Sequence, residues 1–110
     1  MSQARGKTLH REFPRWLAAN GWPGAEACPG GRQGRDVDGI PGIAWEIKTA
    51  GAPKYDPGAW VRQAVRNAGP DLPVVTWFPP GVGIGSVDLT VSILPTMELL
   101  RLLKEAGYMS

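Results

Sequence analysis

Hydrophobic and polar residues alternate most regularly near the middle of the chain, over six residues that begin at Ile43. Ile43, Trp45 and Ile47 fall on one face of an extended segment, and the opposite face carries Glu46 and Lys48. A period of two predicts a β-strand with one apolar and one polar side. This strand is the reference point for the elements around it.

The residues just before this strand predict a turn and a second short strand. Gly39, Pro41 and Gly42 interrupt regular structure, while Asp36 and Asp38 share one face of an extended segment. We expect a hairpin whose polar faces coincide, which brings one or both aspartates beside the glutamate and the lysine of the following strand. The alternative is a solvated face with an ordinary ion pair between the strands.

A period near 3.6 residues predicts three helices, over residues 3–20, 57–68 and 96–106. Asp56 is the expected N-cap of the middle helix, and the proline after it suits the first helical position. Pro14 lies inside the first predicted helix, where we expect a kink. In the last helix, four leucines and a methionine form the predicted packing surface.

Three more strands are predicted, over residues 25–28, 73–78 and 86–93. The element order helix, strand, strand, strand, helix, strand, strand, helix indicates an α/β fold, with a central mixed β-sheet flanked by helices. A right-handed crossover through the helix at 57–68 should make the strands before and after it parallel. With 110 residues, the chain is expected to form a single domain, residues 1–110.

Composition and charge narrow the chemistry. One cysteine and one histidine exclude an internal disulfide and leave little material for a zinc site or a Ser–His–Asp triad. The single cysteine and the absence of a long apolar run favour a soluble protein of the reducing cytoplasm. Residues 1–66 carry ten Lys/Arg and six Asp/Glu, and residues 67–110 carry two and four. This asymmetry indicates either a bound polyanion or ordinary solvated charge.

The polar face of the central hairpin carries the candidate chemistry. Carboxylates are preferred ligands of Mg²⁺ and Mn²⁺, and an ion held by them activates water and stabilises charge on a phosphate. We expect Asp36 and Glu46 to hold such an ion, with the backbone carbonyl of Ile47 as a further ligand. Lys48 would contact the scissile phosphate and orient or deprotonate the water. Asp38 competes with Asp36 for the same role.

A glutamate of the first predicted helix is a further candidate. Glu12 lies at the edge of the apolar stripe, where a carboxylate requires a partner. A metal site is one possible partner. An ion pair with Arg15 or His10 is the other.

Asp36, the turn Gly39-Ile40-Pro41-Gly42 and the run Glu46-Ile47-Lys48 together resemble the signature of the PD-(D/E)xK nuclease superfamily. With Glu12 on the first helix, the chain is similar in particular to Holliday junction resolvase-like endonucleases of bacteriophages. Two features depart from the pattern, because Arg35 replaces the proline of the signature and Gln63 is similar to a glutamine of exonuclease-like relatives.

The resemblance implies a restriction-endonuclease-like core and a Mg²⁺- or Mn²⁺-dependent endonuclease that cuts four-way DNA junctions as a homodimer in the host cytoplasm. It also implies that Glu12, Asp36 and Glu46 are the acidic metal-site residues and that Lys48 is the catalytic lysine. The candidate DNA contacts are basic: Arg5, Lys7, Arg11, Arg32, Arg35, Lys54 and Arg62. Two alternatives stay open, namely a nuclease for a flap, a single strand or a duplex, and a catalytically inactive nucleic-acid-binding module.

Overall fold

The computed structural model describes residues 2–28 and 35–109, and the side chains from residue 4 onward within those ranges. Three α-helices, five strands and one 3₁₀ helix form there, in the predicted order. The helices are α1 (Ser2–Ala19), α2 (Pro57–Ala68) and α3 (Thr96–Glu105). The strands are β1 (Glu26–Ala27), β2 (Val37–Asp38), β3 (Ile43–Lys48), β4 (Leu72–Trp77) and β5 (Val91–Ile93). The predicted α/β class is therefore confirmed.

The main sheet has three strands in the order β3-β4-β5, and it is mixed. β3 and β4 run parallel, with Ile43 beside Leu72 at one end and Lys48 beside Trp77 at the other. β5 pairs with β4 in the antiparallel direction. The parallel pair joined through α2 confirms the crossover that the sequence predicts.

Helices cover both faces of this sheet. On one face, α1 places Leu9, Phe13 and Leu17, spaced four residues apart, in a core that includes Ile47 and Phe78. On the other face, α2 packs Trp60 and Ala64 against Val75. Side chains alternate between the faces of a strand, so β3 directs Ile47 toward α1 and Glu46 toward α2. The predicted polar face of β3 thus lies beneath a helix.

The N-cap prediction for α2 is confirmed, because the side chain of Asp56 accepts a hydrogen bond from the backbone N–H of Ala59 at 3.1 Å. α1 continues through Pro14, which is buried, as one helix. All five tryptophans are buried or half-buried, so each contributes mainly to packing. None of the described helices is both long and apolar enough to cross a membrane.

The predicted strand over residues 86–93 is wrong for most of its length. Residues Ile84–Leu89 form the 3₁₀ helix, and only Val91–Ile93 is a strand. The backbone N–H of Ser86 donates to the carbonyl of Gly83, and the hydroxyl of Thr90 donates to the carbonyl of Val87. These local bonds satisfy the backbone within the segment, so most of it does not need a partner strand.

The predicted hairpin is also different in detail. β2 pairs with β1 in a small antiparallel sheet, and the backbone N–H of Asp36 donates a single hydrogen bond to the carbonyl of Trp45 in β3 at 2.9 Å. The intervening turn needs glycine at Gly39, whose φ is 81° and whose position would bring any Cβ into the backbone of Gly24. The turn therefore fixes Asp36 at the edge of β3 without a regular ladder.

α3 does not pack as predicted. No residue of this helix is buried, and Met97 is 75% exposed while Leu99 and Leu100 are 41% and 40% exposed. Leu102 and Leu103 are half-buried, so the uncovered apolar face consists of Met97, Leu99 and Leu100.

Candidate active site

Asp36 is held against the outer edge of β3 by two hydrogen bonds. Its carboxylate oxygen Oδ2 accepts the backbone N–H of Ile47 at 2.7 Å, and its own N–H donates to the carbonyl of Trp45. Because the N–H and C=O of one strand residue point to the same side, the carbonyl of Ile47 faces the same edge as Asp36. The structure thus brings together two of the expected ligands, the Asp36 carboxylate and the Ile47 carbonyl.

His10 of α1 contacts the same carboxylate. Its Nε2 lies 3.4 Å from Oδ2 of Asp36, and its Nδ1 lies 2.7 Å from the carbonyl oxygen of Gly6. The hydrogen bond to Asp36 is the main cause that raises the pKa of His10 above its ordinary value. The sequence reading did not place His10 in the site. The sequence feature that could have indicated His10 is its position one helical turn after Gly6, on the side of α1 opposite Glu12.

Glu46 is the most constrained group of the site. The residue is only 7% exposed, and its Oε2 is buried with no hydrogen-bond partner among the described residues. Burial raises the pKa of the Glu46 carboxyl, and the charge of Asp36 raises it further. The charge of Lys48 and a hydrogen bond from the side chain of Asn67 in α2 act in the opposite direction.

Asn67 is a second residue that the sequence did not assign. It lies on the edge of the α2 face that buries Ala64 and Ala68. The sequence feature that could have indicated Asn67 is a polar amide beside the buried stripe of the helix. Its side chain orients the Glu46 carboxylate from the helix side of the sheet.

Lys48 is half-buried, and its side chain makes no hydrogen bond and no ion pair within residues 2–28 and 35–109. Its charge lowers the pKa of both Glu46 and His10. An open cleft of about 480 Å³ begins next to it, between Gly6 of α1 and residues 49–54. An uncommitted cation therefore lies beside a cleft that opens to solvent.

Asp36, Glu46 and the carbonyl of Ile47 offer oxygen atoms, which are the ligands that a hard divalent cation prefers. The buried Oε2 of Glu46 requires a partner that the protein does not supply, and a cation is the partner that suits a carboxylate. Among the side chains that the structure describes, however, no three of His, Cys, Asp and Glu already converge into a metal-binding group. A bound ion would depend on the Ile47 carbonyl and water in addition to side chains.

Within the described part of the chain, Glu12 makes no hydrogen bond or ion pair with Asp36 or Glu46, and its role as a metal-site residue stays a prediction. It lines two shallow grooves on the other side of α1, one with Thr8 and Gly83 and one with Trp16 and Ile84. The physical reason is helix geometry, since residues two apart point in nearly opposite directions. His10 is the residue of α1 that contacts Asp36.

Asp38 does not compete with Asp36 in this fold. It belongs to β2 and stands opposite Glu26 of β1. Asp36 alone of the two aspartates accepts the Ile47 N–H and contacts His10.

Two of the expected DNA contacts are already engaged. The Arg5 guanidinium donates hydrogen bonds to four backbone carbonyls, those of Thr49, Phe78, Pro79 and Val82. Arg35 pairs with Asp71 at 2.9 Å. Both arginines therefore contribute to the fold, and their contact with DNA stays a prediction.

Five of the expected DNA contacts remain. Four are exposed: Lys7, Arg11, Lys54 and Arg62. Lys54 also lines the cleft beside Lys48. Arg32 lies outside the described residues.

No protein-family model, no curated protein and no solved structure matches this chain.

Proposed function

We propose that this protein is a metal-dependent phosphodiesterase acting on nucleic acid, a nuclease with a restriction-endonuclease-like core of the PD-(D/E)xK type. The observation that carries the proposal is the buried, unpartnered carboxylate oxygen of Glu46, near the Asp36 carboxylate and the uncommitted Lys48. An unpaired buried carboxylate costs stability unless a ligand neutralises it, so such a group is typical of a functional site.

Asp36, Glu46 and the carbonyl of Ile47 would hold Mg²⁺ or Mn²⁺. When bound, such an ion lowers the pKa of a water ligand and offsets charge on the phosphoryl oxygens. Lys48 would direct its Nζ to a phosphoryl oxygen and orient the attacking water. The Ile47 N–H and the Asn67 amide hold the two carboxylates in place, because each hydrogen-bonds to one of them.

The substrate that suits this site is DNA. The cleft beside Lys48 is lined by Lys54, and α1 exposes Lys7 and Arg11 close to the helix turn that carries His10. Exposed lysine and arginine contact phosphates without reading sequence, which is expected of an enzyme that recognises a DNA shape.

Within this class, the particular activity we propose is resolution of four-way DNA junctions by a homodimer. Paired cuts across a junction require two active sites in one assembly. The uncovered face of α3 supports a second copy as the partner. A ten-residue helix is marginal in water by itself, and its charged residues Glu98, Arg101 and Glu105 already pair with one another.

A cleavage assay with and without Mg²⁺ or Mn²⁺ tests the proposal, using a four-way junction, a flap, a duplex and a single strand of the same sequence. We expect metal-dependent paired nicks in the junction. Lys48→Ala should reduce the rate about 10³-fold or more while it leaves junction binding in place. Arg15→Ala, which removes an exposed cation of α1 away from α3 and from the site, is the matched control and should cut normally.

Equal cutting of all four substrates would contradict the junction preference and leave a general nuclease. Binding without cutting at any metal concentration would instead identify a nucleic-acid-binding module.

A further inference from the structure

The ring of His10 is oriented as a metal-binding imidazole is. A backbone carbonyl only accepts hydrogen bonds, so the contact of Nδ1 with the Gly6 carbonyl at 2.7 Å requires the proton on Nδ1. In the neutral ring, Nε2 then carries an unshared lone pair. Metal-binding histidines commonly donate their other N–H to a carbonyl in this way, which fixes the tautomer and the ring plane.

The lone pair of Nε2 points to a carboxylate. Nε2 and Oδ2 of Asp36 are 3.4 Å apart: in the protonated ring Nε2–H donates to this carboxylate, and in the neutral ring with the proton on Nδ1 the two atoms face each other as two acceptors, between which a cation can take the place of the proton. Two ligands that each lie about 2.1 Å from one ion at a right angle are separated by about 3 Å. The spacing of this pair is therefore close to that of two adjacent ligands of a shared cation.

The backbone supports the same arrangement from the opposite side. The Ile47 N–H binds Oδ2 of Asp36 and fixes the carboxylate, and the Ile47 carbonyl faces the same edge. The set of donors is thus one nitrogen and several oxygens. Mn²⁺ prefers oxygen ligands but, as a transition metal, accepts an imidazole nitrogen more readily than the harder Mg²⁺ does.

We propose that His10 binds the metal ion directly through Nε2, together with Asp36, and that the site selects Mn²⁺ over Mg²⁺. The inference rests on the proposed metal-dependent function and deepens it, because it replaces Glu12 of α1 with a nitrogen ligand of the same helix. It also assigns a direct role to the only histidine of the chain.

Pulsed electron paramagnetic resonance of bound Mn²⁺ tests this assignment without any nucleic acid. With a tag-free protein, we expect a directly bonded ¹⁴N coupling, and labelling with ¹⁵N-histidine should convert it into a ¹⁵N coupling. Since the chain has one histidine, that change identifies His10 without any mutation. Calorimetry should show that His10→Gln weakens Mn²⁺ binding at least tenfold and weakens Mg²⁺ binding much less.

Glu12→Gln is the matched control, because it alters the same helix outside the site, and it should keep both the coupling and the affinity. Mn²⁺ bound without a histidine nitrogen coupling would overturn the role of His10, and continued DNA cleavage by that protein would leave the nuclease proposal intact. A clear coupling in a protein that cuts no nucleic acid would support the site and contradict the nuclease. Failure of the wild-type protein to bind Mn²⁺ would contradict both.

Discussion

At the scale of one residue, Glu46 combines a charged group with burial, which is unfavourable for stability. Its carboxylate lies under α2 with one oxygen unpartnered, and burial raises its pKa. A group whose pKa is higher in the folded than in the unfolded protein stabilises the fold only while it is protonated. That contribution is complete below roughly pH 4 and is lost as the pH rises through the folded-state pKa.

Glu46→Gln should therefore stabilise the metal-free protein at neutral pH, by about 1 kcal/mol, because a neutral amide is less costly to bury than an unpaired charge. The gain should vanish in acid, where Glu46 is protonated in both states. Urea denaturation at pH 4 and pH 7.5 measures both effects. The same variant should lose metal binding and cleavage, and a loss of stability at pH 7.5 would contradict this account of the site.

The site was predictable from sequence only in part, and Glu12 shows why. The period-two pattern correctly placed Ile47 and Glu46 on opposite faces, because strand geometry fixes that relation locally. On a helix, the face that meets the sheet depends on how the whole helix packs. Residues two apart differ by about 200° around the axis, so the choice between His10 and Glu12 required the tertiary structure.

At the scale of an element, the turn between β2 and β3 sets the position of Asp36. Gly39 and Gly42 both have φ near 80°, a left-handed conformation that costs other residues about 1–2 kcal/mol. They differ in their surroundings, since a Cβ at Gly39 would meet the backbone of Gly24 and a Cβ at Gly42 meets nothing within 4 Å.

Gly42→Ala should therefore lower the free energy of unfolding by about 1 kcal/mol, because only the left-handed backbone conformation is unfavourable for alanine there. Gly39→Ala should cost about 3 kcal/mol or more, because the backbone must also move away from Gly24. Chemical denaturation of the two variants measures the difference. Since Asp36 lies three residues before Gly39, Gly39→Ala should also weaken metal binding, whereas Gly42→Ala should leave it close to normal. Equal costs for both substitutions would show that the turn does not press against Gly24.

The elements that were predicted well are those whose signals are local. The Asp56 cap and the following proline define the start of α2 within one turn. The predicted strand over 86–93 failed because local backbone hydrogen bonds close a 3₁₀ helix over Ile84–Leu89, which the alternation of Val87, Leu89 and Val91 does not reveal. In the structure Val87 packs on the core while Leu89 is 59% exposed, so the residues do not share a face.

At the scale of the whole molecule, the count of basic residues overstates the surface open to DNA. Arg5 and Arg35 contribute to the positive charge of residues 1–66, yet one is bound to backbone carbonyls and the other to Asp71. Lys7, Arg11, Lys54 and Arg62 stay exposed. Sequence reveals the amount of charge, whereas the fold decides which charges are structural.

The uncovered face of α3 is where we expect two copies of the protein to associate. Met97 and Leu100 are 75% and 40% exposed on a helix that buries none of its residues. If a second copy covers this face, glutamates introduced at residues 97 and 100 would lose their hydration in the interface or force the two copies apart. The substitutions keep the helix itself intact, because a negative charge at residue 97 is favourable near a helix N-terminus.

The double variant Met97→Glu, Leu100→Glu should therefore weaken self-association about 100-fold or more, as measured by analytical ultracentrifugation. Val65→Glu on α2 is the matched control, because Val65 is 47% exposed and lies on another helix, and this variant should stay dimeric. The monomeric double variant should still nick a junction but should lose the pairing of cuts, since each molecule carries one site. A double variant that stays dimeric would show that the copies meet elsewhere, and a monomeric wild-type protein would contradict the homodimer.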